Sequence, residues 1–206
     1  MAKVGSVSGP DRDVRSSEGI LVLASASPQR RAILEQLAVD FTVCAPDVRE
    51  LTAGGAAALV VQNASLKARA VSGRRVLGAD TAVAVDDEVL GKPADEAQAR
   101  AFLERLSGRE HTVWSGIALI ENGAERTAAD SATVRFRELE ARDLDWYLST
   151  AEWEGRAGGY AIQGRGAGLV ERIQGDYNCV VGLPVAALLR LAPDLVRADA
   201  APTTGD

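Results

Sequence analysis

Histidine and cysteine are nearly missing: the 206-residue chain has one histidine, His111, and two cysteines, Cys44 and Cys179, far apart in sequence. That excludes a disulfide scaffold and any Cys/His zinc site with recognisable spacing. A bound metal would therefore be a hard cation held by carboxylates. No run of apolar residues is long enough for a membrane-spanning helix, and the first residues, MAKVGSVSGPDRDVRSSEG, lack the apolar core of a signal peptide. The chain reads as cytoplasmic, with no membrane partner. There is no excess of positive charge either. A formal net charge of -6 argues against a general nucleic-acid binder, since such proteins carry a basic face that displaces counterions. A small anionic ligand stays open wherever cations gather locally.

Apolar residues at 47% and charged residues at 25% suit a folded domain. Residues 1–18 and 197–206, rich in small and polar residues, read as flexible tails around a single domain, of one lobe or two, over 19–196. Within it, ILVLAS (20–25) reads as a buried strand and residues 28–37 as a helix capped by Ser27, with Pro28 at its first position. FTVCAP is a second strand and residues 55–71 a second helix. RRVLGAD reads as a strand stopping at Asp80, followed by a hairpin turning at Asp86-Asp87. Residues 94–107 and 141–150 read as helices, and 111–136 as a ribbon turning at Asn122-Gly123. GLVERIQG is strand-like, and residues 184–191 form the last helix. Strands interspersed with helices and two antiparallel hairpins indicate an α/β fold with a mixed, elongated central sheet. Its exposed strand edges leave a homodimer open.

Five stretches can carry chemistry, and each has a plainer reading. SASPQRR sets Ser25 and Ser27 at a helix start with Arg30 and Arg31 beside them, which is either an anion seat or only a good N-cap. VLGADTAV places Asp80 at a strand end, where Gly78 and Ala79 would let a ligand approach the backbone; Asp80 is a base, a metal ligand or the cap of an Asx turn. Lys92 in LGKP can reach a phosphate or sit in a solvated turn. Glu50 follows a strand in the same way, with Asp47 its nearest competitor. Seven glycines between residues 158 and 182 surround Gln163, whose amide could read a base edge; tight turns explain them equally well. His111, inside an apolar strand pattern, reads as a hydrogen-bonded core residue.

Together LASASPQRRAILEQL, DVRE, LKARAV, VLGADTAVAVDDEVLGKPADEAQARAFLERLSGREHTVWSGIAL and AGGYAIQGRGAGLVERIQGDYNCVVGLP resemble the Maf family of nucleoside triphosphate pyrophosphatases, in family order over about residues 20–192. The resemblance implies a two-lobed α/β fold with a cleft, similar to inosine triphosphate pyrophosphatases. It implies hydrolysis of a nucleoside triphosphate between its α and β phosphates with Mg²⁺ or Mn²⁺. Asp80 would be the catalytic carboxylate and a metal ligand, and Glu50 a metal or water carboxylate. Ser25, Ser27, Arg30 and Lys67 would bind the phosphates, with Lys92 as a further catalytic cation. Substrate choice falls on Gln29, Thr81 and Gln163. Thr81 and Gln163 match the branch acting on dTTP and UTP, whereas Gln29 stands where that branch usually has arginine. Modified pyrimidine nucleotides, and a nucleotide-binding regulator of cell division acting through a partner, are the competing readings.

Overall fold

The computed structural model describes residues 20–196, so both expected tails lie outside the described residues. One mixed seven-stranded sheet runs through the whole body. Its strands are β1 (Leu21–Ala24), β2 (Phe41–Val43), β3 (Arg75–Val85), β4 (Glu88–Leu90), β5 (Glu110–Glu121), β6 (Ala124–Phe136) and β7 (Val170–Gly175). The order is β2-β1-β3-β5-β6-β7, with β4 also paired to β3. β1 is parallel to β2 and β3, and every later pairing is antiparallel. The helices are α1 (Pro28–Gln36), α2 (Ala56–Arg69), α3 (Glu96–Leu106), α4 (Ala141–Leu148), α5 (Tyr177–Val181) and α6 (Val185–Leu191). None of these helices is long and apolar enough to cross a membrane.

Local chemistry accounts for several boundaries. Ser27 caps α1 by accepting the Arg30 backbone N–H, and Pro28 occupies a position whose N–H would have no helical partner. Asn122 and Gly123 both take positive φ, 50° and 84°, as a two-residue hairpin turn requires. β3, by contrast, does not stop at Asp80 as its sequence suggests but continues to Val85. The TAVAV stretch keeps a strand's alternation, and β5 pairs with β3 from Arg75 to Ala84 without interruption. What ends near Asp80 is the neighbour: β1 leaves β3 after Gly78, and β4 joins the same edge only at Val83. Residues 79–82 therefore have no partner strand on that edge.

That gap divides the core. One apolar cluster contains Leu23, Leu34, Leu77, Ile117 and Leu188; the other contains Val83, Leu103, Val113, Phe136 and Tyr147. β3 and β5 pass from one to the other, and at the waist between them they carry Thr81 opposite Ser115. A third small cluster, Ala24, Ala64, Ala68, Val76 and Ala118, seats α2 on the sheet. Small residues on both surfaces allow close approach: a Cβ on Gly78 would lie 2.1 Å from the Ala64 carbonyl oxygen. The sequence reading assigned Gly78 to close approach by a ligand; the backbone that approaches it is that of α2.

His111 is a core residue, 3% exposed, with Nε2 2.8 Å from the Tyr160 hydroxyl and Phe136 edge-on. Burial draws its pKa from 6.5 down to about 4. The folded state thus holds it neutral while the unfolded chain takes up a proton. Its contribution is complete above pH 6.5 and is lost as pH falls toward 4, by about 3 kcal/mol. In His111→Gln, the fall in unfolding free energy between pH 6.5 and 4, measured by urea titration, is expected to flatten by that amount.

Candidate active site

The break between β1 and β4 opens into a cleft of about 670 Å³. It lies beyond the C-terminal end of parallel β1, where open α/β sheets bind ligands. The ten residues to which the family resemblance gives roles all line it: Ser25, Ser27, Gln29, Arg30, Glu50, Lys67, Asp80, Thr81, Lys92 and Gln163; Arg31, read from the sequence beside Arg30, does not and pairs with Glu35 instead. Asp47, the competitor of Glu50, does not. Because successive side chains of a strand point to opposite faces, Asp80 faces α2 and Thr81 faces α1 and α5. The open edge of β3 lets both reach the same space.

On the α2 side, Lys67 Nζ lies 2.6 Å from Asp80 Oδ1 and 2.9 Å from Glu50 Oε1. Asn63, one turn earlier on α2, donates from Nδ2 to Asp80 Oδ2 at 3.0 Å. Its amide also exchanges hydrogen bonds with the Leu51 backbone, anchoring the segment that carries Glu50. Lys92, more than half exposed, pairs with Glu50 Oε2 at 3.1 Å. Burial pushes the Glu50 carboxyl up, but the bonds and charges of Lys67 and Lys92 outweigh it and hold Glu50 below the usual carboxylate range. Two carboxylates thus share one buried ammonium.

The opposite wall is made of donors. Buried Arg30 donates from Nε to the Gly182 carbonyl (2.8 Å), from Nη1 to Ser25 Oγ (3.0 Å) and from Nη2 to Thr81 Oγ1 (3.0 Å). Burial lowers its pKa against the pull of Asp80 and Glu50, yet a guanidinium stays charged. Ser25 Oγ also accepts the Ser27 backbone N–H at 3.2 Å, so its lone pairs are engaged and its hydroxyl proton is free to donate. Thr81 is the reverse. Ser115 spends its proton on the Cys179 carbonyl, so Thr81 donates to Ser115 at 2.9 Å while accepting from Arg30. Its hydroxyl holds Arg30 in place and has no proton left for a base.

Also lining the cleft are Gln163, which is exposed, and Gln29, whose Oε1 is bonded by Ser27 and by Arg156. Asn63, Ser115 and Arg156 are site residues that sequence reasoning missed. For Asn63 a signal existed, since it precedes Lys67 by four positions and so shares its helix face. Ser115 and Arg156 gave none. The glycine-dense segment resolves into turns, strand β7 and the short helix α5; Gly182, at φ 123°, delivers the carbonyl that Arg30 holds.

The acidic pair can contribute to a hard-cation site because its donors are all carboxylate oxygens, and a cation there would take them in competition with Lys67 and Lys92. Among the described residues no three His, Cys, Asp or Glu side chains cluster to hold a metal. Two carboxylates alone would leave such a cation to be completed by other oxygen ligands.

A cleft with carboxylates on one wall and hydrogen-bond donors on the other, set at the waist of one mixed sheet, defines an α/β protein shaped for a phosphorylated anion. The chain belongs to the Maf-like protein family, whose sequence profile matches residues 20–195. It is 49% identical over 171 residues to a dTTP/UTP pyrophosphatase of Symbiobacterium thermophilum, covering 80% of this chain and 88% of that protein. It is 44% identical over 184 residues to one of Myxococcus xanthus, covering 86% and 93%. A third, of Thermococcus gammatolerans, is 43% identical over 175 residues, covering 84% and 95%.

Proposed function

We propose that this chain hydrolyses nucleoside triphosphates between the α and β phosphates, releasing the monophosphate and pyrophosphate, with UTP and dTTP preferred, in the cytoplasm. The observation that carries this reading is the carboxylate pair held by Lys67 lining the same cleft as the Ser25 and Arg30 donors. The relatives named as dTTP/UTP pyrophosphatases support the nucleotide preference.

Ser25, the remaining N–H groups of Arg30 and the Lys92 ammonium seat the phosphate chain. Asp80, oriented by Lys67 and Asn63, holds a water toward the α-phosphorus and takes its proton. Glu50 and Asp80 would hold a divalent cation, Mg²⁺ or Mn²⁺, which when bound neutralises phosphate charge. The donors are fixed before substrate arrives, so little reorganisation is needed as charge moves onto the leaving pyrophosphate. The site offers no histidine among its lining residues, and positioning with charge compensation suffices for phosphoryl chemistry.

The test is pyrophosphate release from a panel of natural and modified triphosphates with Mg²⁺ added, with the nucleotide product identified. Monophosphate and pyrophosphate are expected, fastest from UTP and dTTP. Orthophosphate with a diphosphate would overturn the bond assignment, and tight binding without turnover would favour a regulatory nucleotide sensor.

A further inference from the structure

We propose that Arg156 is a positioning residue for base discrimination, acting by making Gln29 a donor-only group; this rests on the pyrophosphatase reading above. Gln29 Oε1 lies 2.7 Å from Arg156 Nη1 and 3.1 Å from Ser27 Oγ. A guanidinium can only donate, so the carbonyl end of the Gln29 amide must face it. Ser27 Oγ already accepts the Arg30 backbone N–H, and its own proton goes to the same Gln29 oxygen. Both lone pairs of that oxygen are thereby engaged. The part of Gln29 left for a ligand is its NH₂.

A freely rotating glutamine offers a donor or an acceptor and so tolerates either complement. Gln29 clamped by Ser27 and Arg156 offers donors alone, as an arginine at position 29 would. Arg156 itself is not satisfied by this contact: its Nε is buried and has no partner. An acceptor reaching Gln29 and Arg156 meets several N–H groups and no competing oxygen from Gln29; Glu152 and Glu154 also line the cleft, the former accepting the Arg165 backbone N–H. Uracil and thymine present a carbonyl at C4, whereas cytosine presents an amino group there. The clamped pair matches the carbonyl and opposes the amine, and a mismatch of that kind leaves half-buried donors unpaired.

Pyrophosphate release from UTP and CTP, measured for wild type, Arg156→Ala, Gln29→Ala and the double variant, tests this. The wild type is expected to favour UTP in kcat/KM, and Arg156→Ala to lower the UTP:CTP ratio about tenfold with thermal melting little changed. Loss of the Arg156 charge weakens both triphosphates alike and cancels from the ratio. In the Gln29→Ala background, Arg156→Ala should leave the ratio where it is, because its effect passes through Gln29. Gln29→Glu, which keeps an oxygen for Arg156 and Ser27 but turns the NH₂ into an acceptor, should lower the ratio further. Equal losses for both nucleotides in Arg156→Ala, or a wild-type ratio near one, would overturn the inference. A wild type inert toward every triphosphate would overturn the pyrophosphatase reading instead.

Discussion

Replacing Asp80 by Asn is expected to lower kcat for pyrophosphate release by ~10²–10⁴-fold while KM stays level or falls. The direction of KM follows from charge. Asp80 and Glu50 are anions facing a space meant for a polyanion, so with the divalent cation kept saturating, removing one relieves repulsion in the bound ground state. The effect on kcat follows from geometry. Lys67 at 2.6 Å and Asn63 at 3.0 Å fix both carboxylate oxygens of Asp80, and an amide in its place brings an NH₂ against one of these donors. The variant loses its base and gains a donor–donor conflict, costing about 1–3 kcal/mol of stability. A melting curve recorded with the kinetics separates the two: the assay is run well below the lowered Tm, and the kcat loss should persist there. Full turnover by a folded Asp80→Asn enzyme would remove Asp80 from the chemistry.

The cleft was legible because its residues fall where chain direction changes. Ser27 and Pro28 mark a helix start, Lys92 follows a short strand, and Glu50 sits in a loop after β2; each is a local signal. Asp80 was found for a reason that proved only half right. Its strand continues, and the end that matters belongs to β1, a fact about pairing between segments some fifty residues apart in the chain. Pairing of that kind leaves no mark in a local pattern. The same holds for the polar waist, where Thr81 and Ser115 meet only because β3 and β5 are in register there. Asn63 is one of several polar residues in AAALVVQNASLKAR, and burial of its helix face is what brings its amide to Asp80. Arg156 lay in a loop among glycines and turns, and its contact with Gln29 spans 127 positions.

Adding a single methyl at Gly78 should damage activity as well as stability. The Cβ of Gly78→Ala would stand 2.1 Å from the Ala64 carbonyl oxygen and 2.8 Å from the Ala68 backbone nitrogen, and at Gly116 it would stand 2.5 Å from the Val60 carbonyl carbon. These are backbone atoms of α2, which cannot swing aside as a flexible side chain would, so the whole helix must lift from the sheet. Overpacking of this kind costs about 3 kcal/mol, which for a chain of this size lowers Tm by roughly 6–12 °C. The functional consequence comes from what α2 carries. Asn63 and Lys67 ride on it and hold both oxygens of Asp80, while Lys67 also holds Glu50. A helix raised by about 1 Å loosens all these contacts together, a misplacement worth about 10²-fold in rate. Both Gly78→Ala and Gly116→Ala are therefore expected to lose kcat by about that factor even where folded. Gly123→Ala provides the contrast: its hairpin turn has φ 84° and no atom within 4 Å of the added Cβ. That variant should lose only about 1 kcal/mol of stability and keep its activity, since the Asn122-Gly123 turn lies five β3–β5 pairs beyond Asp80 and makes no contact with the residues that hold it. If Gly78→Ala melted like wild type and kept its turnover, α2 would not be the element that positions the carboxylates.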